Sequence, residues 1–362
     1  MTLLGVAGCT ALIVAAFGLL NSFEPLTEVQ FGEIYRYDAV AVPKNSGTPQ
    51  ELQYMQSIAA DTKCVEDMLL ISQEDITVCY DGREHKTATH LWTMEDNETF
   101  QQIIHLRTRH DHLPLELHDD GVMVNEKLAA TLGCSVGDTV MLSTDEHEAE
   151  AVVRGIYEQY VNNYIYITKE YYHQLFGKEP EYNLLTVRLT DNDEATQNCF
   201  SSVMLQDERI AAVSFMGANV WDFKNMLNSL NMVVVVMVVC AAALAFVVLY
   251  NLTNINIAER MREIATFKVL GFYNKETSSF IYKENVILTL LGILGGLALG
   301  VLLTGFIIRT VEVDNVMFGR DIYWTTYLYA SGLTLFFSLL VNTSMGFKIK
   351  AVNMVESLKS VE

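Results

Sequence analysis

Four stretches of this chain carry no charged residue over a length that crosses a bilayer, and that fact limits every other reading of it. Residues 1–20, 230–250, 286–308 and 323–343 contain no Asp, Glu, Lys or Arg. A helix of about 20 apolar residues matches the roughly 30 Å hydrocarbon layer of a membrane. The 362-residue chain nevertheless has a formal net charge of −20, so its apolar and acidic parts must occupy different places. The acid is concentrated in 21–225, which holds 35 acidic and 14 basic residues against 9 and 10 elsewhere. The reading is an integral membrane α-helical protein of four spans, with a large extracellular α+β domain between the first and second. An acidic outer domain also argues against nucleic acid as a partner, because phosphates would be repelled.

Orientation follows from the short loops, where Lys and Arg mark the cytoplasmic side. Segment 251–285 carries Arg260, Arg262, Lys268, Lys275 and Lys283, and the tail at 344–362 adds Lys348, Lys350 and Lys359. The 309–322 loop is acidic, with Glu312, Asp314 and Asp321 against Arg309 and Arg320. Both termini are therefore expected in the cytoplasm of a multi-pass plasma-membrane protein, with 21–225 and 309–322 outside. Tyr323, Trp324, Tyr327 and Tyr329 fall where an aromatic belt would meet the outer surface. No Lys or Arg precedes Arg36, so the first run lacks the basic start of a cleaved signal peptide and reads as a retained anchor. The same lack suggests that a basic entry segment belongs ahead of Met1.

Within the outer domain, 37–43 is strand-like, 48–60 helical, and 67–80 a pair of β-rich runs. The Asp81-Gly82 dipeptide should turn them into a hairpin with 85–93. Later, 182–189 reads as strand, 193–205 as helix and 210–216 as strand. Two strand–helix–strand units would close into one small α+β sandwich, with about 120–181 inserted between them as a second lobe of alternating strands and helices.

Three features bear on function. Segment 254–280 has Ile257, Met261, Ile264 and Val269 at roughly helical spacing, with Glu259, Arg260, Arg262, Glu263 and Lys268 between them and Gly271 placed to stop the helix. It is an amphipathic element on the cytoplasmic side, hung between two spans. Gly292, Gly296 and Gly300 recur every four residues in the third span, a small-residue face that lets another helix approach closely; the spacing leaves open whether that helix belongs to this chain or a second one. The third feature is negative: no span has an ionisable residue near its centre, no Walker A pattern occurs, and no nucleophile elbow or Cys/His arrangement stands out. His105, His110, Asp111, His112 and His118 fall in a Pro-containing loop without metal-site spacing and read as solvated. Cys64, Cys79, Cys134 and Cys199 are outside the membrane and suit disulfides. Cys64 and Cys79 flank the adjacent β-rich runs, though spacing does not decide the pairing.

The run Glu259-Arg260-Met261-Arg262-Glu263-Ile264, followed by Lys268, Leu270 and Gly271, resembles the signature after the second span of FtsX-like and MacB-like ABC transporter permeases. The stretch VILTLLGILGGLALG resembles their third span. The opening MTLLGVAGCTAL and closing MVESLKSVE resemble the C-terminal module of large two-module permeases of Gram-positive bacteria. The resemblance implies a non-enzymatic permease subunit of mechanotransmission type, with no cofactor of its own and with ATP and Mg bound by a separate ABC ATPase. Glu259, Arg260, Arg262, Glu263, Lys268 and Gly271 would dock on that ATPase, and 218–231 would form a stalk. The implied partners are the ATPase, a second permease copy or paired module, membrane lipid and an extracellular partner protein. The implied work is export or extraction of a peptide, lipid or lipoprotein, with control of a cell-wall hydrolase or ligand sensing as alternatives.

Overall fold

A computed structural model describes residues 2–23, 25–44, 48–80, 86–144, 147–260, 263, 266, 270, 274–312 and 315–350. In chain order its main elements begin with α1 (Thr2–Phe23), β1 (Ala39–Pro43), α2 (Pro49–Asp61), β2 (Val65–Tyr80), β3 (Thr87–Met94) and α3 (Asn97–Ile103). Then come β4 (Val122–Asn125), α4 (Glu126–Leu132), β5 (Thr139–Ser143), β6 (Glu148–Tyr157), β7 (Tyr164–Thr168) and α5 (Lys169–Phe176). The chain closes with β8 (Leu184–Leu189), α6 (Glu194–Met204), β9 (Ile210–Phe215), α7 (Met216–Glu259), α8 (Asn274–Val311) and α9 (Trp324–Lys350). Two compact units result. One joins Met1–Pro25, Leu227–Glu312 and Phe318–Glu362, and the other joins Leu26–Met226 and Val313–Met317.

The first unit contains four helices long and apolar enough to cross a membrane. The helix of the first run is the inner one: 61% of its most apolar window is buried, against 22–28% in the other three. Leucines and valines of the others, such as Val235, Leu294, Leu302 and Leu339, stay exposed, as lipid-facing side chains should. Val6, Leu249, Ile257, Ile293 and Val341 gather from all four helices into one cluster. The glycine face of the third span lies on α1. A Cβ on Gly292 would come within 2.7 Å of Val6, on Gly296 within 2.5 Å of Thr10, and on Gly300 within 2.5 Å of Val14. The partner of the small-residue face is thus a helix of this chain, and the glycines allow backbones to approach where no side chain fits.

Polar side chains cross-link the same bundle. Asn256 Nδ2 donates to Asn285 Oδ1 at 3.2 Å and Asn285 Nδ2 to Asn342 Oδ1 at 3.3 Å, joining three helices through one buried residue. The Thr289 and Ser338 hydroxyls meet at 3.1 Å and those of Thr10 and Thr334 at 3.3 Å. Interhelical bonds of this kind are worth about 0.6–2 kcal/mol in a bilayer. Asn285→Ala breaks two at once and should lower the melting temperature of the detergent-solubilised chain by several degrees; an unchanged melt would mean the ladder contributes nothing to bundle stability.

The outer unit is a mixed nine-stranded sheet of order β3-β7-β4-β6-β5-β2-β8-β1-β9. Its first lobe is the expected pair of strand–helix–strand units: β1-α2-β2 and β8-α6-β9 interleave as β2-β8-β1-β9, all antiparallel, the split βαβ arrangement. Ala39, Ala41, Leu52, Met55, Leu185, Val187, Phe200 and Met204 form its core. Residues 67–80 are not two runs. They belong to one 16-residue strand, β2, which changes pairing partner along its length rather than breaking. Val65–Ile71 pairs with β8, 71–78 with β3 and 77–80 with β5. The β2–β3 hairpin forms as expected, while its Asp81-Gly82 turn lies outside the described residues.

The second lobe is a closed ring rather than a sandwich layer, since β3 pairs with β2 as well as β7. The circuit β2-β3-β7-β4-β6-β5 returns to β2, so its strands leave no open edge. Ile76, Val78, Leu91, Val122, Val124, Val140, Leu142, Val153, Ile165 and Ile167 supply its core, drawing on residues upstream of the 120–181 segment. Helices α4 and α5 end on Gly133 and Gly177 at φ 75° and 67°, left-handed caps that favour glycine.

Candidate functional site

Two regions bear on the expected roles of the chain, one in each unit. In the membrane unit, α7 does not stop where the apolar run ends but continues to Glu259, so Asn254–Glu259 extends the second-span helix rather than forming a separate one. At 44 residues α7 is about 66 Å long, more than twice the hydrocarbon thickness. Glu259 and Glu263 are exposed, free of the bundle. Arg260 is not: its NH2 lies 2.6 Å from Glu284 Oε1, in a two-pronged ion pair that ties the end of α7 to α8. Of the remaining expected docking residues, Arg262, Lys268 and Gly271 lie outside the described residues.

In the outer unit, two segments that lead to the spans meet around residues 158–162, and a third packs on the first of them. The first is 26–38, following α1. It contains a π-helical turn at Val29–Ile34, a rare conformation that often marks functional sites. Gln30 Oε1 accepts the Tyr160 N–H at 2.7 Å, and Glu33 lies 2.6 Å from Arg107. Backbone bonds from Arg36 to Ile103 and from His105 to Ile34, both 2.8 Å, stitch the same segment to the end of α3. The second is the loop between the last two spans. Asn162 N–H donates to Asn315 O at 2.7 Å, Met317 N–H to Tyr160 O at 2.9 Å, and Val161 bridges Val316. The third is the start of α7, where Phe223 packs edge-on against Phe31 at 5.6 Å and Met216 N–H donates to Asp38 O at 2.7 Å.

A buried charge pair organises this junction. Arg107 and Glu158 side chains are 8% and 2% exposed, with Nε to Oε2 at 2.6 Å. The Tyr160 hydroxyl donates to the other Glu158 oxygen at 2.6 Å, and Glu158 N–H to Arg107 O at 2.9 Å. Such a pair is costly to bury and tolerable only when nearly every lone pair is used. Burial, then the Arg36 and Arg107 guanidiniums, depresses the His105 pKa. An aromatic layer backs the junction: Tyr157 stacks on Tyr166 at 4.8 Å, Phe100 meets Tyr166 at 5.2 Å, and Trp92 meets Tyr164 at 4.7 Å. A cleft of about 420 Å³ opens beside it, lined by Asp75, Thr89, His90, Asn162, Asn163 and Asn315 among others.

The sequence reading missed the junction. His110, Asp111, His112 and His118 are exposed as expected of a solvated loop, but the same loop carries Arg107, which is buried, and His112 stands 3.7 Å from buried Glu158. Among the described residues no group of three or more metal-ligating side chains occurs.

Residues 1–198 match the family model of the MacB-like periplasmic core domain, and residues 235–354 match that of the FtsX-like permease C-terminal region. The first alone covers more than half of the chain. The chain belongs to the FtsX-like, MacB-like family of ABC transporter permeases. A relative in Methanocaldococcus jannaschii, described as an uncharacterized ABC transporter permease, is 22% identical over 258 residues. That match takes in 70% of this permease-family chain and 60% of the relative, so the chain spans less than two thirds of it. Among solved structures, the periplasmic region of MacB from Actinobacillus actinomycetemcomitans matches 53% of the chain and 94% of that region, at 9% identity and TM-score 0.36. The extracellular domain of YknZ from Gram-positive bacteria matches 49% and 98%, at 13% identity and TM-score 0.33.

Proposed function

We propose that this chain is the permease subunit of a mechanotransmission ABC transporter, in which a separate ATPase moves the outer unit through the membrane helices. The observation that carries the reading is the convergence of 26–38 and 315–317 on residues 158–162, with the start of α7 packed on 26–38. A chain that conducts substrate through its spans has no need to tie its membrane-linked segments together beside one buried ion pair in its outer domain. The spans support the same reading, for they hold no ionisable residue near their centres and are sealed by glycine and asparagine contacts. ATP binding would close the ATPase pair against the segment around Glu259 and Glu263 on the cytoplasmic side, α7 would carry the movement outward, and the junction would pass it to the two lobes. The cargo is of the peptide, lipid or lipoprotein class, and a second permease completes the assembly.

Recovery of the detergent-solubilised chain from its native membrane should bring an ABC ATPase with it; reproducible purification without one counts against every ATP-driven version. Arg262→Glu places an acid in the signature run and should leave insertion intact while removing at least tenfold of transport-coupled ATPase stimulation, a loss of about 1.4 kcal/mol of coupling. Unchanged stimulation would take Arg262 out of the docking surface. Arg260→Glu is a poorer probe, because it also breaks the pair with Glu284.

A further inference from the structure

Two cysteines of the outer unit lie side by side although 135 positions separate them in the chain. Cys64 sits in the turn between α2 and β2, buried at 6% exposure, and Cys199 lies on the exposed side of α6. The structure holds both as free thiols, with Cys199 close enough to help raise the Cys64 pKa. Their backbones are fixed independently. Thr190 N–H donates to Cys64 O at 3.0 Å, and Phe200 and Met204 of α6 belong to the same core cluster as Cys64. Closing a bond between them therefore orders little that is not already ordered. The alternative suggested by adjacent β-rich runs fails, because Cys79 stands at the far end of the single strand β2, about 50 Å away along extended chain.

We propose that Cys64 and Cys199 form a disulfide in the outer domain, fastening α6 to the start of β2. The oxidant is a disulfide, carried by an extracellular oxidoreductase or a small thiol compound. The exposed Cys199 thiolate attacks one of its sulfurs and displaces the other as a thiolate, giving a mixed disulfide. The Cys64 thiolate then attacks the Cys199 sulfur and releases the second thiol. Two protein thiols are oxidised, one disulfide is reduced to two thiols, and their protons pass to solvent and leaving groups. Burial and then the Cys199 thiol push the Cys64 pKa up to about 11, which leaves the first attack to its exposed neighbour.

The cross-link encloses the whole second lobe within one covalent loop and reinforces the lobe that leads through β9 into α7. The test uses the full chain extracted from membranes in N-ethylmaleimide without reductant. The proposal expects a proteolytic peptide pair joining Cys64 to Cys199, two hydrogen masses below the sum of the reduced peptides. Recovery of both cysteines alkylated, or of either joined to another cysteine, overturns it. Reductant should lower the melting temperature of the wild-type chain by roughly 5–15 °C. Cys199→Ser, a change on an exposed helix face, should abolish that sensitivity; a reductant effect that persists in this variant would belong to a different pair and overturn the assignment.

Discussion

Arg107→Ala should destabilise the outer unit by about 3–5 kcal/mol, the cost of leaving one member of a buried ion pair without its partner. Glu158 is 2% exposed and would keep the Tyr160 hydroxyl but lose the guanidinium 2.6 Å away. Water reaches it poorly, so the carboxylate must either remain charged in a low-dielectric site or take up a proton. Denaturant or thermal unfolding of the full chain, followed by tyrosine and tryptophan fluorescence from the adjoining aromatic layer, reads the loss. A second variant separates charge from packing. Arg107→Met with Glu158→Leu removes both charges and should regain most of the stability, because a buried pair and an apolar pair of similar volume are often equivalent. If the double variant is as unstable as Arg107→Ala, the ion pair is not what holds the junction. The double variant also tests function apart from folding: it keeps the lobe but loses the link to Glu33, and coupling between ATPase and outer unit should fall even where the melt recovers.

Gly296→Leu should be the most damaging change in the membrane unit. Even the first carbon of a new side chain would come within 2.5 Å of Thr10 Cβ and 2.7 Å of the Ala7 carbonyl oxygen. The latter is backbone and cannot swing aside. Overpacking in a close-fitted interior costs about 1–3 kcal/mol when side chains can adjust, and here α1 and α8 must separate. Loss of a folded monodisperse peak in detergent, or a melting temperature lower by well over 5 °C, is the expected result. Gly332→Leu is the matched control. No atom lies within 4 Å of a Cβ built on Gly332, so it should behave like the unmodified chain. Equal behaviour of the two variants would show that α1 and α8 pack less closely than the glycine face implies.

What could be read from the sequence was whatever local chemistry alone dictates. An uncharged run long enough for a bilayer, a glycine every fourth residue, and the strand-like run 182–189 are each fixed within a few turns of chain, and they fall in membrane-length helices and in strand β8. The junction depends on distance in sequence. Gln30, Glu33, Arg107, Glu158 and Asn315 are scattered over nearly 300 positions, and none looks unusual among its neighbours. Arg107 in particular stands among polar residues in a histidine-rich loop, where exposure is the ordinary expectation. The ring closure was hidden for a related reason. One strand, β2, serves three neighbours in succession, and a pattern read strand by strand does not record that β3 has a second partner. Arg260 illustrates the same limit: its signature neighbours suggest an outward-facing charge, but its partner Glu284 is supplied by the next helix.

The way the chain enters and leaves the split βαβ lobe has a mechanical consequence. Ala39, the first residue of β1, is paired with Phe215, the last of β9, and the Asp38–Met216 hydrogen bond closes the end of the pair. Entry and exit are thus neighbours at one end of an antiparallel ladder. Drawn together in one direction, the two strands act as a single tether, and the load falls in shear on all the β1–β8 bonds at once. Drawn apart, they open like a zipper, one bond at a time, starting with Asp38–Met216. The lobe is therefore stiff to a pull shared by its two tethers and yielding to a difference between them.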